Sequence, residues 1–306
     1  MVPSFHTGGF LLIEGGGEVT RSGRYDVAYL YVTGVYAVIM ALIPLFRGSF
    51  VIPYVLPMWG GLYLFYRYNF LSERYKFLLN GIFLAGCYSA LGSVASTFTG
   101  TYHGPDVLAL EERIFGMLPS RWLQSILITP GCRNWYDYPL AFFHSLFFSF
   151  PFVTPWLVYR RNGLEPMKRA IFAFALLVTA GYITYIVWPL TPPWLLAADG
   201  FTQPLNRCVF RAIQDIVPGF LVSGASNTPR AAMPSLHAGV TLLMTLLLNA
   251  ELGFKRAWWS VFLLLAICFE IIYGAEHFVI DIAAGFAFAL AAFFISRVLS
   301  AKTGKN

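Results

Sequence analysis

The stretch Glu276-His277-Phe278-Val279-Ile280-Asp281-Ile282-Ala283-Ala284-Gly285-Phe286, continuing apolar to Ile295, decides the fold. After Asp281 no charged residue appears until Arg297, and a membrane-crossing helix needs about 20 predominantly apolar residues. The run therefore reads as a transmembrane segment, predicted over 278–297. It also carries a carboxylate within the span and a histidine at its edge. An ionisable group at membrane depth is costly, which makes it a functional candidate.

Seven further runs of this kind lie upstream, at 27–46, 50–66, 77–97, 138–158, 170–189, 236–250 and 257–273. The second, sixth and seventh are short for a crossing. Hydrophobic residues make up 58% of the 306 and charged residues only 12%, against about 25% charged in a soluble domain. The predicted fold class is all-α: a polytopic membrane helix bundle of about eight transmembrane segments. No cleavable signal peptide is expected, because Phe10-Leu11-Leu12-Ile13 is too short and runs into Glu14 and three glycines. No internal repeat is visible.

The basic residues sort by the gaps between spans. One side collects Arg21 and Arg24; Arg67, Arg74 and Lys76; Arg160, Arg161, Lys168 and Arg169; Lys255 and Arg256; and Arg297, Lys302 and Lys305. The other holds Arg47, Arg113, Arg121, Arg133, Arg207, Arg211 and Arg230, with no lysine. The positive-inside rule makes the first side cytoplasmic, with both termini inside. This distribution accounts for the basic balance without nucleic acid. Residues 1–25 then form a cytoplasmic tail, 26–104 the N-terminal transmembrane segments, 105–297 a catalytic membrane domain and 298–306 a second cytoplasmic tail.

Two outer loops are long, about 98–137 and 190–235, and loops of this length are often functional. In the first, 108–116 and 120–127 read as amphipathic interfacial helices forming a lid or collar, with Ser120 as a plausible N-cap. Of the four cysteines, Cys87 and Cys268 fall within spans. Cys132 and Cys208 fall one in each outer loop, where a disulfide would persist outside the cytoplasm.

Both histidine motifs are predicted to face outward. Asp281, four residues after His277, can fix the tautomer of that imidazole and stabilise its charged form. His237 follows Arg230-Ala231-Ala232-Met233-Pro234-Ser235-Leu236, where Pro234 suits a first helical turn. A helix N-terminus binds phosphate, Ser235 adds a hydroxyl, and a guanidinium grips two phosphate oxygens. Two imidazoles and a carboxylate at a membrane surface suit covalent phosphoryl transfer on a lipid. Three other groups stand out. His144 is expected to be hydrogen-bonded within the bundle. Glu270 is expected to face its interior, carrying protons, binding a headgroup or pairing with a polar group. Glu276 is expected to touch the acceptor or tune the charge beside His277.

Pro234-Ser235-Leu236-His237 with His277-x3-Asp281 resembles the type 2 phosphatidic acid phosphatase superfamily of lipid phosphatases and phosphotransferases. Within it, Leu110-Glu111-x-Arg113-x-Phe115-Gly116, Pro192-Pro193-Trp194 and Met233-Pro234-Ser235-Leu236-His237 resemble the inositol phosphorylceramide synthase-like branch. The likeness runs from about residue 105 to 297. It implies a six-helix catalytic core, a phosphohistidine on His277 oriented by Asp281, and proton transfer by His237 to the leaving alcohol and then from the acceptor. It implies no metal or other cofactor, and membrane lipids as substrates, with a lipid or small alcohol as acceptor. The chain departs from the classical phosphatases in two places. Their Lys-x6-Arg-Pro segment has no basic counterpart in 182–193, and the arginine six residues before the second histidine is Ile271 here. The phosphate clamp must be rebuilt, with Arg230 the first candidate and Arg207 and Arg211 next. Three functions stay open at this point: a lipid phosphotransferase, a lipid phosphate or polyprenyl (di)phosphate phosphohydrolase, and a non-catalytic lipid-binding membrane protein. The intact His237, His277 and Asp281 argue against the last. Donor, acceptor and oligomeric state are not written in these motifs.

Overall fold

A computed structural model describes residues 11–13, 19–21, 24–46, 55–68, 73–98, 102–128, 134–216 and 230–301. Each of the eight expected spans coincides with a helix, within a few residues at the ends that are described. These are α1 (Arg24–Phe46), α2 (Val55–Tyr68), α3 (Glu73–Phe98), α6 (Asp137–Asn162), α7 (Leu164–Val187), α10 (Leu236–Leu252), α11 (Phe254–Tyr273) and α12 (Val279–Ala301). Among the described residues, short helices lie in the two long loops: α4 (Pro105–Phe115), α5 (Pro119–Leu127), α8 (Pro193–Ala198) and α9 (Cys208–Ile216). Besides these, Leu11–Ile13 and Val19–Arg21 pair antiparallel, Leu12 opposite Thr20.

Among the described residues, five helices are long and apolar enough to cross a membrane: α1, α6, α7, α11 and α12. With the shorter apolar helices they form a polytopic bundle, so the chain is an integral membrane protein. α7 lies at its centre, contacting α1, α3, α6, α10 and α12. Its burial is correspondingly deep, from Met167 through Ala170, Ala173, Leu177 and Tyr182 to Ile186. The outward faces keep their apolar side chains exposed, as at Tyr31, Ile82, Phe142, Leu265 and Phe294. In water such a surface would aggregate, whereas in lipid it is the solvated face.

Glycines allow a close approach of α10 and α12. A Cβ on Gly239 would come within 2.8 Å of the Gly285 carbonyl oxygen, and one on Gly285 would overlap that of Ser235. Small residues let membrane helices bring their backbones together in this way. The α10–α12 crossing therefore lies one turn below both histidine motifs.

The collar differs in one detail from the sequence reading. α5 is capped by Leu118, not Ser120, which is buried in the first turn. Proline's fixed φ suits the first helical position, so Pro119 starts the helix early.

Candidate active site

Local structure explains where the two histidines sit. Ser235 is the N-cap of α10, its Oγ accepting from the Ala238 N–H at 3.4 Å. This places His237 in the first turn. Two bonds pin the entry strand. The Ser235 N–H donates to the Asp281 carbonyl at 2.9 Å, and the Tyr185 hydroxyl donates to the Pro234 carbonyl at 2.7 Å. His277 lies in the turn before α12, and Asp281 in that helix's first turn. Asp281 accepts the Phe278 N–H at 2.9 Å and stands 3.4 Å from His277 Nδ1.

The opposite nitrogen of that ring, Nε2, is 3.1 Å from His237 Nδ1. Histidines forty positions apart in sequence thus meet nitrogen to nitrogen, with a carboxylate behind one of them. His277 is 4% exposed and Asp281 is fully buried. With its Nδ1 proton held toward Asp281, His277 presents the Nε2 lone pair in the space it shares with His237. A group attacked there would find an imidazole within proton-transfer distance.

A cavity of about 420 Å³ opens on this pair. At one end it is lined by His237, His277, His144, Arg207, Glu276 and Trp194, and elsewhere by apolar side chains including Leu84, Phe147, Phe174 and Val178. Arg207 reaches it from the residue before α9. Its guanidinium donates two bonds to Glu276, Nε to Oε1 at 2.7 Å and a terminal nitrogen to Oε2 at 2.9 Å. It also lies between the rings of Trp194 and Phe210, at 4.1 and 4.0 Å. The Trp194 backbone N–H donates to the Ala275 carbonyl at 3.0 Å, which ties the start of α8 to the second histidine turn.

The other clamp candidates lie elsewhere. Arg230 stacks over Tyr102 at 3.8 Å and faces the Asp199 carboxylate at 3.8 Å, and it is not among the cavity-lining residues. Arg211 is on the exposed face of α9. Ser235 is fully buried, with its hydroxyl turned to its own helix. Cys208 is buried and disulfide-bonded, Cys87 and Cys268 are free, and Cys132 lies outside the described residues.

Sequence reasoning missed two features. Glu111 of α4 is buried and accepts the Ile280 N–H at 2.9 Å, anchoring the collar to the start of α12. Burial pushes its carboxyl up to about 7, with the Asp281 charge adding and the backbone N–H bonds opposing. The motif around Glu111 was visible, but its partner was not. The second feature is that His144 and Glu270 pair, Nδ1 to Oε1 at 2.7 Å, beside His237. Each was visible as a lone ionisable residue in an apolar run, and such residues at membrane depth tend to find each other.

Three loop segments meet above the histidine motifs. His103 and Leu190 pair as strands do, and so do Leu190 and Ala231. The His103 ring stacks flat on Trp188 at 3.5 Å. On the other side Gln124 of α5 donates to the carbonyls of Tyr273 and Asn206, at 2.7 and 2.8 Å. These bonds tie the described parts of the two long loops to the helix ends beside the histidines.

No curated protein and no solved structure matches the chain. A model of the PAP2 superfamily matches residues 106–295, well over half of the 306. The matched stretch begins in α4 and ends within α12, so it spans both histidine motifs, Asp281 and the collar. By that match the chain belongs to the PAP2 superfamily, whose chemistry is that of lipid phosphatases and phosphotransferases.

Proposed function

We propose that this protein is a membrane lipid phosphotransferase working through a phosphohistidine at an extracytoplasmic or lumenal face, like the inositol phosphorylceramide synthase-like branch its motifs resemble. In the first half-reaction His277 Nε2 attacks phosphorus, the bond to the leaving oxygen breaks, and His237 gives that oxygen a proton. Asp281 stabilises the charge that His277 gains. In the second half-reaction an acceptor hydroxyl attacks the same phosphorus, loses its proton, and the phosphorus–nitrogen bond breaks. The family pattern has His237 take that proton back.

The observation that carries this reading is the 3.1 Å approach of His237 Nδ1 to His277 Nε2, with Asp281 at 3.4 Å from the far nitrogen. The cavity favours a transferase over a hydrolase. Its walls beyond the polar end are apolar, suited to lipid chains and to excluding water from the intermediate. Arg207 is the side chain best placed to hold phosphate oxygens, because it alone of the clamp candidates lines the cavity with His277. The sorting of basic residues supports an outward site.

The test uses purified wild type and His277→Ala with a panel of phospholipids and lipid phosphates, a ceramide or diacylglycerol acceptor, and mass spectrometry of the products. A headgroup appearing on the acceptor with wild type alone is the expected result. Free phosphate and a dephosphorylated lipid would make the protein a hydrolase. Unchanged lipids with both proteins would leave it a lipid-binding protein.

A further inference from the structure

The buried His144–Glu270 pair has no role in the chemistry described above, yet it adjoins the reacting groups. His144 comes from α6 and Glu270 from α11, 126 positions apart, and their side chains are 9% and 0% exposed. Their bond is 2.7 Å. The His144 and His237 ring centroids are 5.0 Å apart, but the planes tilt by 39° and no hydrogen bond joins them. His144 is therefore not a third member of a relay running through His237. Its Nδ1 is engaged by Glu270, and the ring lines the cavity together with His237 and His277. Phe147 and Phe148, one turn along α6, line the cavity beside it, so His144 borders the apolar part where a lipid would lie.

A structural pin between α6 and α11 would satisfy both carboxylate oxygens. Here Glu270 Oε2 is buried with no hydrogen-bond partner. A half-satisfied ionisable pair is a costly way to join two helices that already pack through apolar side chains. The same arrangement, one imidazole nitrogen held by a carboxylate and the ring open to a cavity, is what a general base needs.

Resting on the phosphotransferase reading, we infer that His144, held by Glu270, is a second catalytic base that binds the acceptor hydroxyl and takes its proton during transfer. The reaction balances over the cycle. His237 gives one proton to the leaving alcohol while the His277–phosphorus bond forms. The acceptor oxygen then bonds to phosphorus, its proton passes to His144, and the phosphorus–nitrogen bond breaks. His144 now carries one proton too many and His237 one too few. Before the next turnover His144 loses that proton and His237 regains one by exchange with water that enters as the products leave, so the cycle closes with no net proton gained or lost. Donor and acceptor alcohols thus meet different imidazoles. Glu270 touches no substrate and is a positioning residue.

The test separates the two half-reactions. Wild type, His144→Gln, Glu270→Gln and Glu270→Asp, each in nanodiscs, are mixed by rapid quench with radiolabelled phosphatidic acid or phosphatidylinositol, then chased with hexanoyl ceramide or dioctanoylglycerol. The expected result is that His144→Gln forms the labelled protein within about threefold of the wild-type rate but discharges it to the acceptor roughly 100-fold more slowly. Glu270→Gln should slow discharge about tenfold, and Glu270→Asp should recover part of it. Equal loss in both half-reactions, or none in discharge, would overturn the assignment. If His144→Gln does not fold, the two Glu270 variants carry the test. Failure of all three to fold would make the pair structural and overturn it too. Wild type that takes no label from either donor would sink the phosphotransferase reading itself, a failure distinct from wild type and His144→Gln behaving alike.

Discussion

Replacing Gly285 by alanine tests whether the α10–α12 crossing sets the histidine geometry. The two helices touch backbone to backbone at Gly239 and Gly285, and the Ser235 N–H reaches the Asp281 carbonyl just above. A Cβ at Gly285 would overlap the Ser235 carbonyl oxygen, and ordinary contact begins near 3.4 Å. The helices must then part by roughly 1 Å, because neither neighbour is a flexible side-chain tip. A Cβ at Gly239 starts 2.8 Å from the Gly285 oxygen, so Gly239→Ala needs only about half that movement. His237 and Ser235 ride on one helix and Asp281 on the other, so the displacement passes directly into the 3.1 Å gap between the imidazoles. A misplacement of about 1 Å can cost roughly 100-fold in rate, and overpacking costs about 1–3 kcal/mol of stability. Lipid turnover and thermal unfolding in detergent would be measured for both variants. Gly60→Ala, where a Cβ meets nothing within 4 Å, is the control. The expected order of loss is Gly285→Ala, then Gly239→Ala, then no change. A fully active Gly285→Ala, or a reversed order, would refute the claim that this crossing aligns the site.

His237→Ala should slow donors with poor leaving groups far more than those with good ones, because only the former need a proton; equal losses across a leaving-group series would remove His237 as the acid. Arg207→Ala should raise the apparent donor KM about tenfold or more, with Arg207→Lys restoring little because the bidentate fork is lost. Arg230→Ala should change it less, and the opposite ranking would return the clamp to Arg230. Glu111 makes stability depend on pH. Its carboxyl is raised from 4.5 to about 7 in the folded protein, so its neutral form is favoured by folding. That contribution is full below about 4.5 and is lost as pH rises through about 7, amounting to about 3 kcal/mol at 1.36 kcal/mol per unit. Glu111→Gln should flatten the fall in Tm across that window relative to wild type, and parallel curves would contradict it. Non-reducing mass spectrometry should find Cys132 and Cys208 joined, and two free thiols there would refute that pairing.

The bundle was legible because membrane spans are written locally. A run such as Ile282–Ile295 needs no knowledge of its neighbours to be read as a helix in lipid. The nearness of His237 to His277 was legible only through their motifs, since nothing local relates residues forty apart. The order of the clamp candidates in sequence differs from their order around the cavity for a physical reason. Arg230 lies seven residues before His237 and reads as its neighbour, but Tyr102 and Asp199 draw its guanidinium aside. Arg207 lies thirty residues before His237 and reaches the cavity because α9 docks on α6, while its guanidinium lies against the rings of Trp194 and Phe210. Docking of a nine-residue amphipathic helix depends on the assembled bundle, and no pattern within the helix specifies it. The same holds for His144 with Glu270, where each residue signalled that it needed a partner and neither signalled which.

Family membership bears unevenly on chemistry and on substrate. The matched stretch, 106–295, contains His237, His277, Asp281, Arg207 and the collar. One wall of the cavity lies outside it. Gly81, Leu84, Ala85 and Tyr88 of α3 face α6 and α7 across the space beside His144, and the absence of a Cβ at Gly81 lets the Phe152 ring lie against that wall. α3 is held there by α7, and through the Tyr182 hydroxyl, which donates to the Leu84 carbonyl at 3.2 Å. A lipid seated in this cavity would touch reacting groups supplied by the family-matched region and chain-binding surface supplied partly by an N-terminal helix that the match does not reach. Two proteins can then share the histidine pair and its arithmetic of protons while differing in which lipid they accept, because hydrophobic discrimination accrues by area along the cavity wall rather than at phosphorus. If a lipid occupies this cavity, α3 would then supply part of its chain-binding surface.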